Sequence, residues 1–155
     1  MKVLFLDIDG VLNKRSDGEV ITETDSIYTV NRVLLEHLHK IVEDTNCKIV
    51  LSSTWRIFKD GIEFLEEYGQ LEIFDVTKRI HNGRRGEEIQ VYLDEHPDVE
   101  SYAIVDDDSD MLDSQLRNFF QTDPLHGLTE TIAYRITFRL NKGIKDDKYG
   151  SLLTA

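Results

Sequence analysis

Short unbroken apolar runs alternate along the chain with longer stretches whose apolar positions recur every three or four residues. The runs Val3–Leu6, Lys48–Leu51 and Tyr102–Val105 predict strands, the first of them buried on both faces of a parallel sheet; Leu71–Val76, of mixed apolar content, predicts a short further strand, and Phe119–Phe120 a short buried segment. The spaced stretches predict helices. One runs from Thr29, as N-cap, to about Asp44, with Val30, Val33, Leu34, Leu38, Ile41 and Val42 on one face. Others cover Phe58 to Tyr68, stopped by Gly69, and Glu87 to Glu95, stopped by Pro97. A further helix is expected around Leu112 and Leu116, and a last one opens at Gly127-Leu128-Thr129 and ends near Leu140. Strands alternating with helices predict an α/β, three-layer, Rossmann-like domain over residues 1–141, its mainly parallel sheet flanked by helices, with a polar tail at 142–155. The polar stretch from Lys14 to Ser26 is expected to form a loop or a short hairpin flap.

Three of the predicted strands end in chemistry-bearing residues: Asp7 and Asp9, Ser52 and Ser53, Asp106 and Asp107. In open sheets of this kind ligands bind beyond the carboxyl ends of the strands, so these groups are expected to meet. Two unit charges ~4 Å apart repel by about 4 kcal/mol at an effective dielectric of 20, so converging carboxylates need a cation. A donor set of carboxylates favours a hard dication, Mg²⁺, which shares its shell with water and phosphate. One carboxylate is then placed to attack phosphorus and the other to protonate the leaving oxygen, while Ser52 or Ser53 holds a phosphoryl oxygen.

Composition narrows this further. A chain of 155 residues with net charge −12 is a single soluble domain, and the charge argues against nonspecific adhesion to nucleic acid. No apolar stretch approaches the roughly 20 residues a membrane span needs, and the first apolar run is too short for a secretory leader, so a cytoplasmic location is expected. The one cysteine, Cys47, has no partner for a disulfide. Against the acidic background, Lys78-Arg79-Ile80-His81-Asn82-Gly83-Arg84-Arg85 contains four formal positive charges and no acid. Arg84 and Arg85 are expected just before the positive end of the helix beginning near Glu87, an arrangement that a bound anion relieves.

The segments Leu6-Asp7-Ile8-Asp9-Gly10-Val11-Leu12-Asn13, Val50-Leu51-Ser52-Ser53-Thr54-Trp55-Arg56 and Ile104-Val105-Asp106-Asp107-Asp108 resemble the first, second and fourth motifs of the haloacid dehalogenase superfamily of phosphohydrolases. Ser-Ser-Thr-Trp-Arg, Arg85-Gly86-x-Glu88-Ile89, the Asp triplet and Gly127-Leu128-Thr129 are similar to its small capless members grouped with RNA-repair-associated domains. The resemblance implies that Asp7 is the nucleophile and Asp9 the general acid/base. It implies Mg²⁺ on the Asp7 and Asp106 side chains and the Asp9 carbonyl, with Asp107 as second acid of the fourth motif and Asp110 competing for that place. Ser53 is preferred over Ser52 as the second-motif hydroxyl. The usual third-motif lysine has no counterpart, so Arg85 takes its place with Lys78 in reserve.

Too few residues separate the motifs for a large cap domain, so the site is expected to be open and to suit a phosphate on a large substrate, such as a nucleic-acid end or a protein. Trp55 fits either a base-stacking ring beside that phosphate or a core position. The expected activity is Mg²⁺-dependent phosphomonoester hydrolysis through an aspartyl-phosphate. The alternatives are a receiver-like signalling domain that accepts phosphate on Asp, and a catalytically silent domain that binds phosphorylated ends.

Overall fold

The computed structural model describes residues 1–14, the backbone of 20–21, and residues 28–142. Its centre is a five-stranded, wholly parallel sheet in the order β5-β4-β1-β6-β7. Here β1 is Lys2–Leu6, β4 Lys48–Leu51, β5 Ile73–Val76, β6 Ser101–Asp106 and β7 Phe119–Gln121. β1 is central and fully covered, as its continuous apolar run requires. Helices α1 (Arg32–Thr45) and α2 (Lys59–Glu67) accompany the outward crossovers from β1 to β4 and β5. Helix α3 (Arg85–Glu95) makes the return crossover to β6, and α4 (Glu130–Lys142) follows β7.

Because right-handed crossovers in opposite directions cover opposite faces, α3 lies alone on one side of the sheet. Alternation along the strands sorts the core accordingly. Leu4, Leu6, Leu51 and Val105 pack with α1, α2 and α4, while Val3, Phe5, Val50 and Ile104 pack with Ile89 and Tyr92 of α3. The three-layer α/β reading therefore stands, with the sheet parallel throughout and no large cap among the described residues.

Several local expectations need correction. Thr29 does not cap α1: Val30–Asn31 forms a two-residue strand, β3, antiparallel to β2 (Val20–Ile21). The cap is Asn31, whose side chain accepts from Leu34 N at 3.0 Å. A β-branched residue before the helix is more readily held in extended backbone, which moves the start two residues on. The segment after β6 is a 3₁₀ helix, Asp113–Asn118, and Leu116 points to solvent while Gln115 is buried. Two leucines four apart do not distinguish a helical stripe from chance. The proposed flap beyond Val20–Ile21 and the tail from Gly143 lie outside the described residues.

Replacing Asn31 by Ala should cost about 1 kcal/mol of stability by removing the buried cap, without abolishing folding. Urea denaturation at neutral pH measures it; an unchanged midpoint would contradict the assignment.

Candidate active site

The last ladder rung of the sheet carries the site. Beyond the paired residues Val105, Leu6, Leu51 and Val76 the next position on each strand is Asp106, Asp7, Ser52 and Thr77. Backbone bonds keep these four in register: Thr77 N donates to Leu51 O, Ser52 N to Leu6 O and Asp7 N to Val105 O. Alternation aims the whole row toward the α3 face, and all four residues are buried. Side chains of one row on adjacent parallel strands stand roughly 4.8 Å apart, so the acids at two neighbouring exits are forced together.

Carboxylate oxygens of Asp7, Asp106 and Asp107 all lie within 4.8 Å of one another. Burial is the main cause that pushes the Asp7 carboxyl far above the ordinary range, followed by the Asp106 charge and a hydrogen bond with that residue. Burial also raises Asp106, partly offset by the Asp108 backbone amide, which donates to it at 2.9 Å. The three acids offer only oxygen donors, close enough to share one ion and held in a charge state that a cation would relieve. That set fits a hard dication such as Mg²⁺.

Two devices hold the Asp107 side of the cup. Gly10 has φ +80°, and a Cβ there would collide with the Asp107 carboxylate, so this turn requires glycine twice over. Thr122, at the exit of β7, donates its hydroxyl to Gly10 O at 2.7 Å and its amide to Asp106 O at 3.0 Å. Thr122 had no sequence signal beyond being a polar residue shortly after the buried segment Phe119–Phe120, which the structure makes a strand.

Asp9 is not part of the cluster. Its exposed carboxylate accepts from Asn13 Nδ2 at 2.9 Å and from Trp55 Nε1 at 3.1 Å. The turn that starts after Asp7 breaks the two-residue alternation, so the two acids do not face the same way as an extended chain would have them. Of the two places open to Trp55, a stacking ring or a core position, it takes the core. Its ring is buried against Tyr28 and Phe64, at centroid distances of 4.9 and 6.3 Å, and it acts on the site through its N–H.

Helix α3 starts at Arg85, two residues earlier than predicted, because Asp110 supplies the cap: its carboxylate accepts from Arg85 N at 3.0 Å. Asp110 is thereby engaged as a cap and is not among the three clustered acids. Gly86 lets the helix end approach Met111 and Leu112, where any Cβ would clash, and Gln115 donates to Gly86 O at 2.8 Å. This docking sets Arg85 with Nε 3.8 Å from Asp106 and Nη1 3.8 Å from Glu88. Lys78, by contrast, extends over the surface to Glu95 at 3.0 Å and is not brought to the cup.

Glu88, which motif reading had noted without a role, is the hub beneath this face. It takes both oxygens to Arg56 Nη2 at 2.9 Å and accepts from Ile80 N at 2.9 Å. Arg56 in turn donates to the carbonyls of Ser52 and Ser53. Ser53 caps the following 3₁₀ turn by accepting from Trp55 N, whereas the buried Ser52 Oγ has no hydrogen-bond partner, nor does Arg85 Nη1 or Thr77 Oγ1. Polar atoms left unpaired beside a cup of acids are placed for a ligand's oxygens.

Charge crowding has a thermodynamic sign. Both buried carboxyls are raised in the folded state, so the fold is favoured while they are protonated and loses stability as pH climbs above the unfolded value of about 4. In metal-free buffer the melting temperature should therefore fall as pH rises from about 4 through neutrality. Adding Mg²⁺ should reverse the fall, and Asp7→Asn should raise the metal-free melting temperature at pH 7 by roughly 5 °C while blunting the Mg²⁺ response. A flat or opposite pH trend by differential scanning calorimetry would contradict this electrostatic account.

One family model, described as the HAD domain in Swiss Army Knife RNA repair proteins, matches residues 3–133, from β1 into α4. No curated protein matches the chain.

Proposed function

The chain belongs to the HAD domain family of Swiss Army Knife RNA repair proteins, and on that premise we propose that it is a Mg²⁺-dependent phosphohydrolase that cleaves phosphomonoesters through an aspartyl-phosphate on Asp7. The observation that carries the reading is the cluster of Asp7, Asp106 and Asp107, three carboxylates within 4.8 Å at two adjacent strand exits. Asp7, Asp106 and Asp107, with the Asp9 carbonyl, would hold the ion. When bound, it supplies the positive charge that keeps Asp7 ionised and polarises the phosphoryl oxygens.

An ionised Asp7 attacks phosphorus, the bond to the ester oxygen breaks, and Asp9 gives that oxygen its proton. Water then attacks phosphorus of the acyl phosphate, passes a proton back to Asp9, and phosphate leaves with the Asp7 carboxylate restored. Arg85 stands beside Asp106 with no hydrogen bond made by Nη1, which suits a phosphoryl oxygen's charge. Ser52 is favoured over Ser53 for the second-motif role, since the Ser52 hydroxyl is free in the acid row and the Ser53 oxygen is occupied as a cap.

Asp9 can reach a leaving group only if its carboxylate keeps its aim at the solvent edge. Asn13 and Trp55 hold one oxygen each, so Trp55 is proposed as a positioning residue. With no large cap among the described residues, the site suits a phosphate at the end of a large molecule, nucleic-acid ends among them.

Release of phosphate from p-nitrophenyl phosphate should require Mg²⁺ and vanish in Asp7→Asn. Asp9→Asn should lose on the order of 10²–10⁴-fold in kcat. Trp55→Phe, which keeps the ring and loses the N–H, should lower kcat roughly tenfold with KM little changed. Retained turnover in Asp7→Asn would refute the nucleophile, and tight Mg²⁺-dependent binding of phosphorylated ends without turnover would indicate a silent domain.

A further inference from the structure

We propose that Tyr28 is a positioning residue for proton transfer: packed against Trp55 and tied to Asp60, it holds the indole N–H on Asp9 and so aims the proton donor at the leaving oxygen. This rests on the phosphohydrolase reading above, in which Asp9 protonates that oxygen, and extends it to a residue outside the motif segments.

Asp9 is exposed, and its carboxylate accepts a hydrogen bond on each oxygen, from Asn13 Nδ2 at 2.9 Å and from Trp55 Nε1 at 3.1 Å. Every carboxylate oxygen has a second lone pair, so two donors fix the plane of the group and still leave a place for the proton it exchanges. The Asn13 side is local. Its side chain also accepts from Gly10 N at 3.0 Å and donates to Thr29 O at 3.2 Å, which closes the turn. The Trp55 side comes from 46 residues away, and an indole holds a carboxylate only as firmly as the indole is itself held.

Two rings seat the indole: Tyr28, at a centroid distance of 4.9 Å, and Phe64 of α2, at 6.3 Å. Phe64 is fixed by its helix. Tyr28 belongs to no helix or strand, so its place depends on its own contacts. Its hydroxyl donates to Asp60 Oδ1 at 2.9 Å, and that oxygen also accepts from Gly61 N at 3.1 Å. The ring lies so close over α2 that a Cβ at Gly61 would stand 3.1 Å from it. Phenylalanine would fill the same space, but the hydroxyl adds an anchor in the first turn of α2 that sets the depth of the ring against the indole.

The role has a chemical signature. As the P–O bond breaks, its electron pair stays on the leaving oxygen and the Asp9 proton joins it, which matters most when that oxygen is strongly basic. A p-nitrophenolate departs with little help, whereas phenolate needs the proton. Poor aim of Asp9 therefore appears as a leaving-group effect in kcat/KM, which spans the steps through formation of the acyl phosphate. General loosening of the site would lower both substrates alike.

The test measures kcat/KM for phenyl phosphate and p-nitrophenyl phosphate in the wild type, Tyr28→Phe and Tyr28→Leu. Tyr28→Leu should lose roughly tenfold on phenyl phosphate and about threefold or less on p-nitrophenyl phosphate. Tyr28→Phe, the milder change, should show the same split at smaller size. Equal losses on the two esters, or no loss in either variant, would overturn the proposal. A second readout needs no turnover. Trp55 is the only tryptophan, so its indole N–H gives a single side-chain cross-peak in a ¹H–¹⁵N spectrum. Asp9→Asn should displace that peak in the wild-type background and displace it less when combined with either Tyr28 variant. No displacement in the wild type, or an undiminished one in the combined variants, would overturn the assignment. If no ester is hydrolysed, the hydrolase reading fails by itself, and the cross-peak still decides whether Tyr28 holds the indole on Asp9.

Discussion

Like charge forced together at the ends of two neighbouring strands is the constraint on which this molecule is built. The parallel ladder between β1 and β6 leaves Asp7 and Asp106 side by side and almost without solvent, and Gly10 then lets Asp107 close the third side. Such an arrangement opposes folding unless something positive or a proton joins it. A binding site with that property is costly to the fold and selective for its ligand for the same reason.

The surrounding structure is arranged to tolerate and aim this charge. Helix α3, alone on its face, brings its amino-terminal end and Arg85 over the row, and its approach depends on Gly86, Gln115 and the Asp110 cap. Glu88 on the same helix fixes Arg56, and through it the carbonyls of Ser52 and Ser53, so one carboxylate sets both the hydroxyl side and the basic side of the site. Thr122 ties the motif-one turn to the far edge of the sheet. The remaining acid, Asp9, is governed from elsewhere, by Asn13 and by an indole set in the core under α2.

Much of this was legible in the chain itself. Apolar runs of four to six residues alternating with helical spacing specified the parallel sheet, and acids or hydroxyls directly after three runs located the site at the carboxyl edge. What spacing could not convey was direction once the backbone left the strand. Asp7 and Asp9 lie two apart in sequence yet face different partners because a turn intervenes. Trp55 follows the hydroxyl motif at a position that fits both surface and core, and only the packing of Tyr28 and Phe64 decides it. Helix starts were displaced by long-range partners, most clearly Asp110, which caps a helix 25 residues earlier in the chain. Thr77 and Thr122 carried no motif, and their places follow from strand pairing alone.

The central claim is that the buried acid row is a phosphoryl-transfer centre with Asp7 as the accepting carboxylate. It is tested most directly by quenching the enzyme during turnover, reducing any acyl phosphate with borohydride, and locating the resulting homoserine by peptide mass spectrometry. The account predicts conversion at position 7 and at no other acid. Sustained phosphate release with position 7 unmodified, or modification at Asp9 or Asp106 instead, would contradict it.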